Sequence, residues 1–471
     1  MTDIQQAVPT PRPAGRGFRA YTAKHLDSLV QRAGLPPDER LAVRAVAAVL
    51  PFRTNSYVVE SLIDWEAAPD DPIYRLVFPQ PDMLPEPDVQ RLADMIDGGA
   101  PEAGLRAAAH EIRMRLNPHP AGQLLLNAPS LHGRPLPGLQ HKYPETVLFF
   151  PRQGQTCHAY CSYCFRWAQF VDEPGLKMAT DDVGTLVAYL REHPEVTSVL
   201  ITGGDPMIMG EPVLRRYLEP LIDPRNGLDH IESIRIGTKS LAYWPQRFVS
   251  DPDADDTLRL FGEVIASGRT LAVMAHFSHP RELEPPVLAE AVRRIRDTGA
   301  VIRTQAPLIR SINDDPAAWR GMWRTQVRMG MIPYYMFVER DTGPQDYFAV
   351  PLARAHEIFR DAYAGVSGLC RSVRGPSMSA TPGKVCVDGV ADVAGLRVFV
   401  LRMLQARDPD LVGRPFFARF DPHATWLTDL EPVFADRFPF DPERYEAVPD
   451  ELPGLWPTEP EEPGELMVPA I

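Results

Sequence analysis

Between residues 20 and 125 apolar side chains recur every three or four positions, in AKHLDSLVQRAG (23–34), DERLAVRAVAAVL (38–50) and EAGLRAAAHEIRMRL (102–116). That is the period of one face of an α-helix, and it predicts a helical N-terminal region over residues 1–140. After HKYPE (141–145) the rhythm changes to short β-rich runs at 146–151, 198–203, 233–237, 270–277, 301–309 and 332–338. Amphipathic stretches separate them: TDDVGTLVAYLREHP, EPVLRRYLEPLID, DDTLRLFGEVIASG, PPVLAEAVRRIRDTG and PAAWRGMWRTQVRMG, with LARAHEIFRDAYAG after the last. Six strands each followed by a helix predict an α/β fold with a parallel sheet and right-handed crossovers. Their even spacing favours a partial (β/α)6 barrel over residues 141–365, with its chemistry at the C-terminal strand ends. Beyond residue 366 the alternation is lost. An irregular C-terminal region (366–471) is expected there, packed across the barrel mouth or onto a partner chain and ending in the proline-rich acidic tail VPDELPGLWPTEPEEPGELMVPAI.

Composition narrows the class. The chain has 471 residues, 44% of them hydrophobic, enough for a large core, and its five cysteines are an odd and small number. A disulfide framework needs many cysteines in a short secreted chain, so reduced thiols in the cytoplasm are expected. The first twenty residues hold no apolar signal core, and runs such as VTSVLITGG are far too short to span a bilayer. A net charge of −13 argues against nucleic acid or anionic membrane as partners and leaves small molecules. Proline, 50 residues, concentrates at PTPRPAGRG, PQPDMLPEPD and the tail, segments that read as connectors.

Three of the five cysteines, Cys157, Cys161 and Cys164, fall in TCHAYCSYC just after the first strand. Such a loop can aim three thiolates at one point, and thiolates suit soft metals and iron–sulfur clusters. A structural zinc with His158 or a distant residue as fourth ligand, or three packed thiols, are the alternatives. Cys-x3-Cys-x-aromatic-Cys, with Tyr163 before the last cysteine, resembles the signature of radical S-adenosylmethionine (SAM) enzymes. The resemblance implies that the three cysteines hold a [4Fe–4S] cluster whose open iron chelates SAM. It implies too that an electron from an external one-electron reductant cleaves SAM to a 5′-deoxyadenosyl radical. The second strand ends in ITGGDP. Its glycines admit close backbone approach, and Gly203, Gly204 and Asp205 match the family motif for the SAM amino group; an ordinary βα turn with Asp205 as N-cap is the plainer reading.

The likeness extends over residues 140–390 to lysine 2,3-aminomutase and its relatives, through HKYPETVLFF, CFRW, VLITGGDPMI, IRIGTKSLAYWPQRF, AHFSHPREL, AVRRIRDTGAVIRTQAPLIRSINDDP, IPYYMFVERD and SGLC in order. These enzymes use pyridoxal 5′-phosphate (PLP) and move an amino group between the α and β carbons of an amino acid. The resemblance implies Lys384, in SATPGKV, as the PLP lysine, although the family's glycine run is shortened here. It implies Arg166 as the grip on the substrate carboxylate, a role that the fork of a guanidinium suits, and Lys142, Tyr143 and Gln305 as PLP neighbours with His276 beside SAM. Thr146 stands where the family has an arginine. Asp315 lies near the position of one family zinc cysteine and no cysteine follows Cys386, so no zinc is expected. Where the family places an aspartate against the substrate ε-ammonium, this chain has Arg340, and 374–384 contain no second acid. A donor-only cation repels an ammonium group. The expected substrate is therefore not free lysine but an acidic or acceptor-bearing amino acid, unless Arg340 points to solvent or pairs with Glu339 or Asp341. A PLP-independent radical SAM enzyme acting on an amino acid or peptide, and a non-enzymatic cluster or zinc protein, are the competing functions. Family analogy favours a homo-oligomer.

Overall fold

A computed structural model of the chain describes residues 17–440. Most of PTPRPAGRG and the acidic tail lie outside the described residues. The N-terminal pattern folds into α1 (Ala23–Arg32), α2 (Pro37–Val49), α3 (Pro72–Val77), α4 (Glu86–Asp97) and α5 (Glu102–Arg115). Leu26, Leu29 and Val30 of α1 and Val43, Val46 and Val49 of α2 bury in one core, as an i, i+3, i+4 apolar stripe requires. An antiparallel ribbon joins Ala20–Thr22 to Arg53–Asn55.

Eleven strands make one sheet whose spatial order follows the chain: β1 (Leu139–Tyr143), β2 (Thr146–Phe149), β3 (Ser198–Ile201), β4 (Ser233–Thr238), β5 (Thr270–His276), β6 (Val301–Leu308), β7 (Ile332–Val338), β8 (Arg374–Ser379), β9 (Gly383–Val393), β10 (Leu396–Ala406) and β11 (Pro415–Arg419). Strands β2 to β8 are parallel. Strand β1 and strands β9 to β11 run antiparallel to their neighbours. The crossovers carry α6 (Val183–Glu192), α7 (Glu211–Ile222), α8 (Ala254–Ala266), α9 (Pro286–Asp297), α10 (Pro316–Arg328) and α11 (Leu352–Ala364). Each of the six expected strands is present within a few residues of its predicted span. The sheet is open, since β1 and β11 do not pair, yet Lys142 on β1 donates to the Ala380 carbonyl in the β8–β9 turn, so the two parts are brought together by side chains.

Residues 374–419 differ from the irregular region expected: they extend the sheet by four strands. The composition of GKVCVDGVADV hides β9, because Gly and Asp disfavour strands. Its stability comes instead from the long β9–β10 hairpin and from a second apolar cluster that includes Met378, Val385, Phe399, Leu401 and Trp426.

Register decides which side chains share a face. Arg235 pairs with Ala272, Gly237 with Met274, Met274 with Arg303 and His276 with Gln305, and paired residues project to the same side. Ile234, Ile236, Leu271, Val273 and Ile302 alternate to the other side and are fully buried. One face is thus apolar and the other polar. The register shifts between Thr304 and Gln305, which pair with Pro333 and Tyr335 and leave Tyr334 as the extra residue. Such bulges re-aim side chains, and here two tyrosines in succession lie at the polar face, their ring centroids 4.5 Å apart.

Candidate active site

The cysteine loop follows β2 and is held from outside by the N-terminal region. Tyr160 N–H donates to the Arg53 carbonyl (2.8 Å) and Ser162 N–H to that of Leu76 (2.8 Å). Buried Asn55 donates from one amide nitrogen to the His158 carbonyl (3.1 Å) and the Tyr243 carbonyl (3.0 Å). The three cysteines are unpaired and half-buried. Burial above all pushes the three thiols up, Cys164 to about 12; neighbouring cysteines add to the rise at Cys157 and Cys164, and Glu282 at Cys161. A different cation offsets each: Arg53 for Cys157, Lys239 for Cys161 and Arg166 for Cys164. Among the described residues no three His, Cys, Asp or Glu gather tightly enough for a single metal ion; a four-iron cluster takes one thiolate per iron. His158 points elsewhere. Its Nδ1 bonds Ser240 Oγ at 2.9 Å, and burial holds it neutral, down to about 4.

The ITGGDP turn packs against this loop. A Cβ on Gly204 would stand 2.4 Å from the Thr156 carbonyl oxygen, and one on Gly203 2.1 Å from Gln155 Nε2, so the close approach these glycines allow is that of the chain just before Cys157. Asp205 is 2% exposed. Its carboxylate accepts from Met207 N–H (2.9 Å), Thr238 Oγ1 (2.7 Å), Lys239 N–H (2.9 Å) and Ser240 Oγ (3.0 Å). These donors saturate the two oxygens, and the side chain thereby ties the β3 turn to the β4 turn. Tyr163 hydroxyl reaches His276 Nε2 (3.2 Å) and Ser278 Oγ (2.7 Å). Beside it Lys239 Nζ pairs with Glu282 at 2.9 Å. Burial first, and then Lys239, hold His276 well below its usual range.

Further along the polar face lies a second group. Lys384, on β9, donates to Gln405 Oε1 at 3.1 Å, with Nζ 4.3 Å from the Tyr335 ring centroid and 5.9 Å from that of Tyr143. Burial, then the charges of Arg374 and Arg235, lower Lys384 to about 7. Lys142 is likewise held well below its ordinary value, chiefly by burial, and burial raises the neighbouring Tyr143. Arg166 is 6% exposed, lies 4.1 Å over the Phe150 ring, and leaves Nε and Nη2 without a hydrogen-bond partner. Arg340 faces inward between Phe165 (5.3 Å) and Trp426 (5.8 Å). Its Nε forms an ion pair with Asp341 Oδ1 at 3.6 Å, one of the pairings the sequence left open; the separation is too long for a hydrogen bond, and Nε and Nη2 are buried without hydrogen-bond partners. A cavity of about 460 Å³ beside the cysteine loop is lined by Arg152, Gln155, Tyr160 and Lys177 among others.

No family model matches the chain. A provisionally named L-lysine 2,3-aminomutase of Aquifex aeolicus (strain VF5) is 30% identical over 402 residues, covering 85% of this chain and 93% of that protein. The chain belongs to the lysine 2,3-aminomutase family of radical SAM enzymes. It spans about half the length of other members: L-lysine 2,3-aminomutase of Fusobacterium nucleatum subsp. nucleatum is 28% identical over 234 residues (50% of this chain, 51% of that one), and that of Clostridium subterminale 27% over 236 (50% and 53%). Among solved structures, a radical SAM methyltransferase from Sphaerobacter thermophilus is a distant likeness, 18% identical over 50% of this chain and 68% of that one, with a TM-score of 0.35.

Membership in the lysine 2,3-aminomutase family makes this an enzyme of the radical SAM aminomutase kind and implies SAM and a [4Fe–4S] cluster. Three thiols on one short loop, each with its own cation, fit such a cluster, because metal-bound cysteine is thiolate. Several contributors escaped the sequence reading. Asn55 lies a hundred residues from the loop it supports, and Lys239 and Glu282 are separated along the chain. Only IGTKSLAYWPQRF and AHFSHPREL, segments shared with the family, signalled the last two.

Proposed function

We propose that the protein is a radical SAM, PLP-dependent 2,3-aminomutase whose substrate is an amino acid with an acidic or acceptor-bearing side chain. The curvature that brings Lys142 to Ala380 supports a partial (β/α)6 barrel over 141–365, with 1–140 as the N-terminal region and 366–471 supplying Lys384. In this reading Cys157, Cys161 and Cys164 hold the cluster. SAM lies against the turn of Gly203 and Gly204 and against His276, the Asp205 carboxylate acting through its hold on the neighbouring turn. Bound SAM and PLP would supply, respectively, hydrogen abstraction from the substrate and a carrier for the migrating amino group. The chain's own residues bind and orient. Arg166, with a fork of free donors in a dry setting, suits the substrate α-carboxylate. Lys384, lowered to about 7, offers a substantial fraction of neutral amine at neutral pH, as attachment to the carbonyl of PLP requires, with Lys142, Tyr143 and Gln305 around it.

The observation that carries the substrate class is Arg340: a guanidinium set between two aromatic rings whose Nε and Nη2 make no hydrogen bond, its ion-pair neighbour Asp341 standing 3.6 Å away and leaving those donors open to a second carboxylate. A lysine side chain ending there would meet a like charge in a poorly solvated place, whereas a carboxylate would be paired. Reduced enzyme with SAM and PLP is supplied with each amino acid in turn, and 5′-deoxyadenosine and β-amino acid are measured. Glutamate or aspartate is expected to turn over and lysine poorly, with Arg340→Asp reversing the order. Efficient turnover of lysine alone would overturn the substrate assignment. Borohydride reduction with peptide mapping separates out the PLP question: the pyridoxyl group is expected on Lys384, and its absence there would leave a PLP-independent radical enzyme.

A further inference from the structure

On the polar face of the sheet, three guanidiniums on alternate strands gather around the paired tyrosines. Arg374 (β8) lies 4.5 Å from the Tyr334 ring centroid and 4.2 Å from that of Tyr335, and Arg303 (β6) lies 5.2 Å from Tyr334. Arg235 (β4) donates from Nη2 to Thr146 Oγ1 at 3.3 Å and keeps a buried, unpartnered Nε. Among the described residues none of the three has an ion-pair partner. Like charges in a half-buried setting repel, and an arrangement of arginines without carboxylates is stable when an anion with several acceptor oxygens fills it. A phosphate monoester brings about −1.5 to −2 charges and three such oxygens. The distance to the proposed attachment point is short, since the ring that carries Arg374 at 4.2 Å carries Lys384 at 4.3 Å.

We infer that Arg235 and Arg374, backed by Arg303, hold the phosphate of PLP, and that Arg235 reaches across from β4 to supply at Thr146 the positive charge that β2 itself does not carry. This rests on the PLP reading above and names the residues that make it workable in this chain. The cation is displaced by two strands rather than lost, because Thr146, Ser198 and Ser233 are in register and a long side chain two residues beyond Ser233 spans back to β2.

The test compares two aldehydes that differ only in the phosphate. Full-length protein freed of cofactor is titrated with PLP and with pyridoxal, read by the visible band of the lysine adduct and by mass mapping of the borohydride-trapped pyridoxyl group. Wild type is expected to prefer PLP strongly, and inorganic phosphate to compete with PLP but not with pyridoxal. Arg235→Gln and Arg374→Gln should each weaken PLP relative to pyridoxal by roughly tenfold or more, the scale of a charged hydrogen bond, with Arg235→Lys recovering part of the loss; the effect of the lost charge on Lys384 is common to both aldehydes and cancels in the ratio. Equal uptake of PLP and pyridoxal by wild type, or variants that keep its preference, would overturn the phosphate assignment while sparing Lys384. A wild type that traps neither aldehyde on Lys384 would overturn the PLP reading and this inference together. The phosphate competition is measured on unaltered protein, so a variant that fails to fold does not spoil the result.

Discussion

At Lys384 the environment determines the chemistry. With a folded value of about 7 against an ordinary 10.5, the folded chain binds fewer protons at this residue than the unfolded chain between those values, so stability rises with pH across that window. Below it both states are charged and the full penalty of a buried ammonium remains; above it both are neutral. Lys384→Met is therefore expected to raise the melting temperature more at pH 6 than at pH 10, and an equal gain at both would show an amine of ordinary basicity. The rate of labelling Lys384 with an amine-directed reagent should likewise rise with pH around a midpoint of about 7. Arg340 shows how far residue type alone carries: a cation at that position could be read from the chain, but not that it turns inward between Phe165 and Trp426.

At the scale of elements, the turn after β3 and the loop after β2 form one unit. Gly204→Ala would force a methyl group against the backbone of Thr156, and backbone has little room to give, so a cost of about 1–3 kcal/mol is expected together with a fall in iron retained after anaerobic reconstitution. Gly262, inside α8 with open space around its Cβ direction, is the control: Gly262→Ala should stabilise by about 0.5–1 kcal/mol and leave iron content unchanged. Element types were readable here because each crossover repeats the same local signal, a short β-branched run and then an amphipathic helix. The strands beyond residue 374 were not, because β9 owes its structure to its hairpin partner β10 and to the cluster around Phe399 and Trp426, not to local preference.

At the scale of the whole molecule, the N-terminal helices buttress the cysteine loop through Asn55. Its side chain is satisfied on every side, donating to His158 and Tyr243 carbonyls and accepting from Val58 N–H at 3.1 Å. Asn55→Ala would leave these backbone groups buried and unpaired, costing roughly 2–5 kcal/mol. Thermal melts and iron analysis of the same preparation are expected to show both a lower melting temperature and weaker cluster retention. Normal iron content in a destabilised Asn55→Ala protein would show that the helical region supports the fold but not the loop.

The sequence by itself determined the parallel βα order, the helical region before it and the three cysteines that can act together. Each follows from periodicity or from covalent spacing over a few residues, which hold in any packing. Tertiary structure alone decided that Asp205 spends its carboxylate on the β4 turn, that a bulge sets Tyr334 and Tyr335 side by side, that Arg235 meets Thr146 from two strands away, and that Asn55 reaches the cysteine loop. These contacts join residues dozens to more than a hundred positions apart. They depend on register and on sheet curvature, which arise only when distant strands pair and their shared apolar face is buried.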